Sequence, residues 1–500
     1  MLSYKHTRRA TLICIACSIP LLLLSIYALY PHRDRIIGLP DIGDYEQEPE
    51  EELESSTYSI SSKATQSIHL GWSATSTSSN PAATWDSTYG IPLDDQSAEF
   101  LATALGNPTP TKEEKGWEFD PAVDGGNYGL SDWKCNVAFP QMYAELNRAV
   151  SYTHANGNIT ALQLTTSWKS AGLVRAMIYD RTLYVVDAKY DPDHFDLLRA
   201  LALLSSIERA ILTFDGEIPN IEFTFSVEDI ANYDSADKWP LWALARPRDK
   251  EEQWVMPDFG FWAWDTDLVG SYEQVQQRIK EVEPEFYEKI PQAVWRGGAL
   301  NQLRQDLLTV TRNQSWADVQ EIKWGQPADE ENQFMKIADH CKYTFLVQTE
   351  VSVIHKLDWI ENYHHLLVSE GPHQNYVEVE RNFTDLPEKI EYLLDNPEVT
   401  ERIANNSVAV FRDRYLTPAA QTCYWRRLFR AWRSVSFEPQ LYENVTTVTN
   451  GRNNSEVRYR GMPWQTYLMV ALRDVQPHTP AEQPDEKPCG GWKKFFWLCQ

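Results

Sequence analysis

Three side chains of this sequence lie where a catalytic carboxylate and phosphate-binding groups are expected. Asp229 follows the apolar strand predicted over 221–226, and α/β proteins place ligand-facing groups at the carboxyl ends of such strands. Arg296 stands in a predicted strand that runs into Gly297 and then into a helix carrying Arg304. Guanidinium and backbone N–H groups so arranged can hold a diphosphate, and Asp229 can accept a proton. A turn cap for Asp229 and ordinary ion pairs for the arginines are the alternatives.

An aromatic segment, residues 254–264 (WVMPDFGFWAW), offers rings that can stack on sugar faces. Aromatic side chains are found more often in protein cores. We therefore expect core positions for most of this segment. Trp262 stays a candidate for stacking on the sugar of an acceptor molecule.

We expect no bound metal and no cofactor. Asp265 and Asp267 form a D-x-D triplet, but Mg²⁺ needs several oxygens converging on octahedral geometry. Glu350 and Glu370 are the carboxylates of a glycosidase alternative. The histidines lack the H-x-x-x-H and H-E-x-x-H spacings of metal sites and are predicted to be structural: His340, His355, His364 and His365.

Strands and helices alternate along the central part of the chain. A strand at 183–186, a helix with apolar residues at helical spacing over 193–212 and a strand at 221–225 indicate parallel α/β units. Thr417 and Pro418 supply an N-cap and a first-turn proline for a helix over 418–434. The remaining predicted elements are helices over 271–282, 300–311, 387–394 and 399–415 and strands over 343–348 and 375–379.

Composition limits the classes of function. The 500 residues exceed one core of ordinary size, so two folded units with tails are expected. A hydrophobic fraction of 43% and 19 tryptophans suffice for a sizeable core. The formal net charge of -25 argues against a nucleic-acid partner, which would require clustered Lys and Arg.

The N-terminal segment predicts membrane anchoring. Residues 11–30 are uncharged and long enough to cross a bilayer as a helix, and Lys5, Arg8 and Arg9 precede them. This charge distribution favours a cytosolic N-terminus and a lumenal body, with a cleaved signal peptide as the alternative. Residues 31–115 are acidic and then Ser/Thr-rich, which indicates a disordered stem.

Six N-x-S/T triplets agree with a lumenal body. They predict N-glycosylation at Asn158, Asn313, Asn382, Asn405, Asn444 and Asn453. Five cysteines lie beyond the predicted anchor, without the C-x-x-C pairs of a zinc site.

Four motifs in order resemble those of the CAP10-like glycosyltransferases, the family that includes fungal capsule-associated proteins and protein O-glucosyltransferases. The resemblance covers about residues 116 to 470. The motifs are residues 218–229 (IPNIEFTFSVED), 294–297 (VWRG), 341–346 (CKYTFL) and 423–428 (CYWRRL).

The resemblance implies a GT-B-like fold, with two Rossmann-like halves facing a cleft. It implies an inverting transfer of xylose or glucose from a UDP-sugar to a hydroxyl of a glycan or glycoprotein, in the Golgi or endoplasmic reticulum. Asp229 would be the base and Trp262 would face the acceptor. The donor-binding residues would be Arg296, Gly297, Arg304 and Glu378.

The resemblance also implies a disulfide between Cys135 and Cys423. Relatives carry a Gly-x-Ser-x-Ser-Gly-Arg turn, which holds the donor, after the strand that ends here at Thr349-Glu350. This chain passes directly into Val351 instead. The usual partner of Cys341 would lie in the missing segment, so Cys341 is expected to be unpaired.

These observations give a division of the chain and two alternatives for its function. The first alternative is a catalytically impaired family member, and the second is a lumenal carbohydrate-binding protein. The predicted segments are a cytosolic N-terminus (1–10), an anchor (11–30), a stem (31–115), an acceptor-side half (116–250), a donor-side half with closing helices (251–435) and a C-terminal extension (436–500).

Overall fold

The computed structural model describes residues 108–166, 172–190, 196–228, 239–261, 270–323, 332–349, 359–449 and 452–474, with residues 100, 105, 106 and 231. They form a mixed α/β fold with several sheets, as the alternation of elements predicts. The predicted anchor and most of the predicted stem lie outside this part of the chain. Among the described residues, no helix is both long enough and apolar enough to span a bilayer.

The larger sheet contains six strands. They are β1 (Leu173–Tyr179), β2 (Thr182–Lys189), β3 (Ile221–Ser226), β4 (Leu241–Ala243), β6 (Gln253–Val255) and β13 (Met462–Pro463). Their order is β13-β2-β1-β3-β4-β6, in which β3, β4 and β6 are parallel. β1 is antiparallel to both of its neighbours, β2 and β3.

The parallel arrangement expected for the first strands is therefore only partly right. β2 and β3 run in the same direction, but β1 lies between them. The reason is local. Asp180 and Arg181 join β1 to β2 with φ values of 46° and 60°, the left-handed pair of a two-residue hairpin turn.

Helices cover this sheet, and the described ones are α1 (Pro121–Asp124), α2 (Asp132–Ala138), α3 (Ala144–Asn156), α4 (Ala161–Thr166), α5 (Asp196–Leu212), α10 (Pro418–Ser434) and α11 (Trp464–Asp474). The predicted bounds of α10 are confirmed, and the Thr417 side chain accepts a hydrogen bond from Ala420 N as its N-cap. α10 contacts α2, α3, α5 and β3.

Tryptophans form the centre of the larger core. Trp242 of β4 stacks on Phe223 of β3 with ring centroids 3.8 Å apart, and it meets Trp432 of α10 edge-on at 5.5 Å. Trp254 of β6 is fully buried and contacts Trp432 from the other side. The core position expected for most of the 254–264 segment is thus confirmed for residues 254–256 and 259, which are all buried.

The smaller sheet has three parallel strands in the order β8-β7-β9. They are β7 (Ile290–Gly297), β8 (Ala317–Glu321) and β9 (Tyr343–Leu346). α7 (Gln302–Val310) connects β7 to β8, as expected for a parallel unit. A second core joins this sheet to α8 (Leu386–Asp395) through Trp295, Trp316, Phe383 and Ile390.

The remaining described helices lie between β6 and β7 or between α8 and α10 in the chain. α6 (Tyr272–Val282) begins with a capping box between Ser271 and Gln274. The helix predicted over 399–415 is divided into α9 (Pro397–Ser407) and a π-helix, Val408–Tyr415. Short 3₁₀ turns cover Phe259–Phe261, Phe286–Glu288, Ile337–Lys342 and His364–Leu366.

The C-terminal segment is folded through residue 474. A hairpin of β11 (Tyr442–Thr449) and β12 (Arg452–Tyr459) leads into β13, which pairs with β2, and then into α11, which contacts α5. Arg460 donates to both carboxylate oxygens of the buried Glu222 on β3. The first part of the predicted extension thus completes the larger sheet.

Candidate functional site

The three parallel strands of the smaller sheet end at one edge, which is where open α/β sheets bind ligands. β7 ends at Gly297, beside Glu321 at the end of β8. Ile322 N donates to Gly297 O at 2.8 Å, so the two chains stay together beyond the strands. Residues 298–301 then lead into α7, whose N-terminus faces this edge. Free N–H groups at a helix N-terminus suit an anion.

Arg304 holds the Gly297–Asn301 turn in place through two hydrogen bonds. Its backbone N–H donates to the Asn301 side chain at 3.0 Å, which caps α7, and its guanidinium donates to Gly298 O at 2.9 Å. The side chain is buried. Arg304 therefore shapes the Gly297–Asn301 turn and brings positive charge beneath it.

Arg296 lies in a buried ion pair, as the alternative to phosphate binding expected. Its guanidinium donates to the Asp318 carboxylate at 2.8 Å and to the backbone oxygens of Asp318 and Trp295. Tyr343 donates its hydroxyl hydrogen to the same carboxylate at 2.5 Å. These groups join β7 to both neighbouring strands.

The pKa values in this cluster follow from burial and pairing. Burial would raise the pKa of Asp318, but hydrogen bonds from Arg296 and Tyr343 outweigh it and the pKa is lowered. Burial and the bond to Asp318 raise the pKa of Tyr343 to about 12. The cluster thus holds a carboxylate and a neutral phenol around Arg296.

Trp295 faces the opposite side of the same strand. Its indole N–H donates to Thr349 Oγ1 at 3.1 Å, and its ring packs in the second core. Thr349 is the last described residue before the position at which the resemblance predicts a missing Gly-x-Ser-x-Ser-Gly-Arg turn. Trp359, only nine residues beyond Glu350, already pairs in β10 (Trp359–Ile360) with β5 (Arg246–Pro247).

The candidate base, Asp229, and the candidate acceptor platform, Trp262, lie outside the described residues. The chain reaches Asp229 from a fixed strand end, because Val227 N donates to Gly172 O and Arg199 donates to Val227 O. Gly172 has a φ of 74°, and a Cβ there would meet the Glu228 side chain at 2.6 Å. A glycine is therefore required where β1 approaches the residue before Asp229.

The strand predicted over 375–379 does not form, so Glu378 does not stand at a strand end. Its backbone oxygen accepts from Lys389 Nζ on α8, and Val379 is buried in the second core. The apolar residues that indicated a strand are instead a packed, irregular connection. Glu378 is half-buried and stays a predicted donor residue.

The described histidines occupy structural positions, as predicted. His340 and His365 contact backbone oxygens of Lys336, Ile337 and Gln141. Burial lowers the pKa of His364 to about 3 and also lowers the pKa of His340 and His365. No metal-binding group of three His, Cys, Asp or Glu exists among the described residues. Glu370 is exposed, and the other members of the D-x-D and glycosidase hypotheses lie outside the described ranges: Glu350, Asp265 and Asp267. The fourth candidate histidine, His355, also lies outside them.

The cysteines give one agreement and one correction. Cys135 of α2 and Cys423 of α10 form a disulfide, as the resemblance implies, with Cα atoms 5.7 Å apart. The expectation that Cys341 is unpaired is wrong, because its sulfur is also in a disulfide. Cys341 is fully buried, and its sulfur is not a free thiol.

The predicted glycosylation sites are accessible where their side chains are described. The exposed ones are Asn158, Asn313, Asn382, Asn405 and Asn444. Asn453 belongs to β12.

The carboxyl edge of the smaller sheet carries the Trp295-Arg296-Gly297 turn. The part of the sequence that contains this turn matches a family model. The model for "Glycosyl transferase family 90" matches residues 134–482, about 70% of the chain. The chain belongs to glycosyl transferase family 90.

Curated relatives of this family 90 chain are protein O-glucosyltransferases. It is 23% identical over 275 residues to Protein O-glucosyltransferase 1 of Homo sapiens, and 23% identical over 274 residues to that of Bos taurus. Each match covers 45% of this chain and 65% of the relative. Protein O-glucosyltransferase 3 of Rattus norvegicus is 32% identical over 98 residues, 19% of either chain.

Sequence reasoning missed the partners of Arg296. Asp318 lies in β8, whose sequence ADVQE has only two apolar residues, Ala317 and Val319, and is too short for their alternation to be a clear strand signal. The available signal was Arg296 itself, since an arginine inside an apolar strand requires a buried acceptor.

Proposed function

We propose that this protein is a membrane-anchored lumenal glycosyltransferase that moves xylose or glucose from a UDP-sugar to a hydroxyl of a glycan or glycoprotein, with inversion. It would be a single-pass type II protein of the Golgi or endoplasmic reticulum, held in the bilayer through residues 11–30. The family match over residues 134–482 is the observation that carries this proposal.

The geometry of the smaller sheet supports a donor site at its carboxyl edge. The Gly297–Asn301 turn, the N-terminus of α7 and Arg304 beneath them offer N–H groups and positive charge to a diphosphate. Arg296 contributes mainly through its field, because its guanidinium is bound to Asp318. No divalent metal is needed in this proposal, since cationic side chains and backbone dipoles would stabilise the departing UDP.

The proposed reaction needs an acidic group to accept the proton of the acceptor hydroxyl, and we assign this role to Asp229. The acceptor hydroxyl oxygen attacks the anomeric carbon, and the bond from this carbon to the diphosphate oxygen breaks. Asp229 takes the hydroxyl proton, and UDP leaves with the bonding electron pair. Attack from the face opposite the diphosphate inverts the anomeric centre. A rigid end of β3, fixed by Gly172 and Arg199, supports the precise placement that this step requires.

A catalytically impaired family member is the second candidate, and one observation favours it. Residues 347–358 connect the end of β9 to β10, which pairs with β5. These twelve residues contain no glycine and no arginine, so they lack the Gly-x-Ser-x-Ser-Gly-Arg turn that the resemblance expects to hold the donor. Each lost oxyanion-type donor costs about 3 kcal/mol of barrier, so losing several would nearly abolish transfer.

Calorimetry with UDP on the detergent-solubilised full chain separates the two candidates. The enzyme binds UDP and releases it from UDP-xylose or UDP-glucose when an acceptor is present. The impaired member binds none. Glycan binding that does not depend on nucleotide would point to a carbohydrate-binding protein instead.

Asp229→Asn tests the assigned base. We expect it to abolish transfer while UDP affinity changes less than about twofold, because the base contacts only the acceptor. Glu228→Gln, one residue earlier, is the matched control and should retain most of the turnover. Unchanged turnover in Asp229→Asn would remove this residue from the mechanism.

A further inference from the structure

The β11–β12 hairpin presents two chemically different faces. In the antiparallel register, Tyr442 lies opposite Tyr459 and Asn444 lies opposite Val457. Side chains alternate between faces along a strand, so these four share one face. The other face carries Glu443 and its cross-strand partner Arg458, which form an ion pair at 2.7 Å.

The first face is apolar and uncovered. The rings of Tyr442 and Tyr459 lie 4.9 Å apart at an angle of 40°, yet the two residues are 50% and 56% exposed. Val457 is 64% exposed, and Asn444 beside it is also exposed. Two aromatic rings and a valine therefore surround an asparagine that belongs to an N-x-T triplet.

We propose that Asn444 carries an N-linked glycan whose first sugar packs on the Tyr442–Tyr459 ring pair and holds the hairpin together. The inference rests on the lumenal placement proposed above, because N-glycosylation takes place there. It assigns this glycan a structural role that the other sequons lack.

A sugar attached to Asn444 is close enough to Tyr442 to pack on its ring. Two residues along one strand lie about 6.8 Å apart, twice the rise per residue, and share a face. A pyranose ring attached to the Asn444 amide can thus lie over Tyr442. Aromatic rings have the flat apolar surface on which the C–H groups of a sugar pack. Covering the rings would also remove exposed apolar area from water.

The other sequons lack this pairing. Of the six, Asn444 alone has an aromatic residue two positions earlier. The corresponding residues before the others are Asn156, Thr311, Glu380, Ile403 and Gly451.

The ring pair lies at the anchored end of the hairpin. Arg460 N donates to Leu441 O at 2.8 Å, and the Arg460 guanidinium binds the buried Glu222. A sugar packed on the two rings would restrict the motion of both strands beyond this anchored end. A two-stranded ribbon is only marginally stable alone, so such a clamp has a measurable effect.

Hydrogen exchange on the full chain, expressed in a eukaryotic secretory pathway, tests the proposal. Glycopeptide mass spectrometry first measures occupancy at Asn444 and Asn158. Exchange of the 442–459 peptide is then compared among wild type, Asn444→Gln, Tyr442→Ala and the double variant. We expect each single variant to raise exchange about fivefold and the double variant to add little more.

Two controls separate stacking from other effects. Asn158→Gln removes the sequon of an asparagine that has no aromatic residue two positions earlier, and it should leave the hairpin unchanged. Tyr442→Phe keeps the ring and should behave as wild type. An occupied Asn158 with an empty Asn444, or additive effects of the two single variants, would overturn the proposal. Protection of an unglycosylated hairpin by dimerisation or by added oligosaccharide would also overturn it. Empty sequons throughout would show instead that the lumenal placement is wrong.

Discussion

Arg460 of the C-terminal segment and Glu222 of β3 are joined by two hydrogen bonds, of 2.8 and 2.9 Å, although 238 residues separate them. The Glu222 side chain is fully buried and also pairs with Arg175 of β1. One carboxylate thus connects β1, β3 and the end of the β11–β12 hairpin. A buried charge of this kind is tolerated because its partners replace the lost water.

Replacing Glu222 should therefore destabilise the protein more than replacing Arg460. Glu222→Gln leaves two arginines without their carboxylate, and we expect a loss of about 3–5 kcal/mol. Arg460→Met leaves Glu222 paired with Arg175, so the loss should be about 1–3 kcal/mol. Urea unfolding followed by tryptophan fluorescence measures both values. Equal effects would contradict the shared-carboxylate arrangement.

Stability should fall as the pH decreases from 6.5 to 4.5. Burial holds the pKa of His364 near 3 and lowers the pKa of His340 and His365, so the unfolded chain binds these protons and the folded protein does not. Each such histidine contributes up to about 1.4 kcal/mol per pH unit below its unfolded pKa. Urea midpoints measured at several pH values give the slope.

Glu145 limits the window for this measurement. Burial would raise its pKa, but Arg148 and Arg246 lower it to about 2, so its contribution is present above pH 4.5 and is lost as the pH falls towards 2. Between pH 6.5 and 4.5 the histidines therefore lower the stability as the pH falls, and Glu208, whose pKa burial raises, opposes them. His364→Gln should reduce that slope, and an unchanged slope would exclude His364 as a contributor.

Removing the Cys135–Cys423 disulfide should destabilise the fold by about 2–5 kcal/mol. The bond closes a loop with a sequence separation of 288, and it joins α2 to α10, most of whose residues are buried. The Cys135→Ser/Cys423→Ser variant, compared with wild type in urea, measures the loss. Reduction also breaks the disulfide of Cys341, so the matched comparison is reduced wild type against the reduced variant, which should unfold at nearly the same urea concentration. A variant as stable as oxidised wild type would refute the prediction.

Arg296 and Asp318 should be energetically coupled. Arg296→Met leaves the Asp318 carboxylate without its cation, and we expect a loss of about 3 kcal/mol. Asp318→Asn keeps the backbone acceptors of Arg296 and should cost about 1–2 kcal/mol. The double variant should cost less than the sum. Arg312→Met, at an exposed position, is the control.

The same variants separate structural and donor roles. Calorimetry with UDP should show weaker binding in Arg296→Met only if the guanidinium field reaches the diphosphate. Asp318→Asn retains Arg296 in place and should preserve UDP binding. Additive stability effects would contradict the ion pair as the main role of Arg296.

Elements with local signals could be predicted from the sequence. α10 was predicted with its observed bounds, because Thr417 and Pro418 mark its start and its aromatic stripe recurs at helical spacing. α6 and α7 were also predicted within two residues. In each helix the capping residues and the apolar face indicate the same bounds, so contacts with distant residues are not needed to define the helix.

Elements that depend on partners could not be predicted in the same way. Residues 375–379 have strand composition, but Val379 packs on α8 and the segment stays irregular. β8 is a strand despite its polar sequence, because β7 supplies the hydrogen bonds. The β11–β12 hairpin did carry a local signal, since Asn450-Gly451 separates its strands. For the candidate site, the sequence located the turn after Arg296 and left open whether the guanidinium was free.

The position of α10 has a consequence for how the protein is made. Trp425 and Trp432 fill the centre of a core whose other residues lie mainly between 130 and 279, and a ribosome reaches these tryptophans only after more than 400 residues. Until translation is nearly complete, the strands that are made earlier expose the apolar surfaces that α10 covers in the folded protein. A nascent chain of this kind depends on chaperones for most of its synthesis. Premature termination anywhere upstream of α10 would leave no part of the larger core able to close.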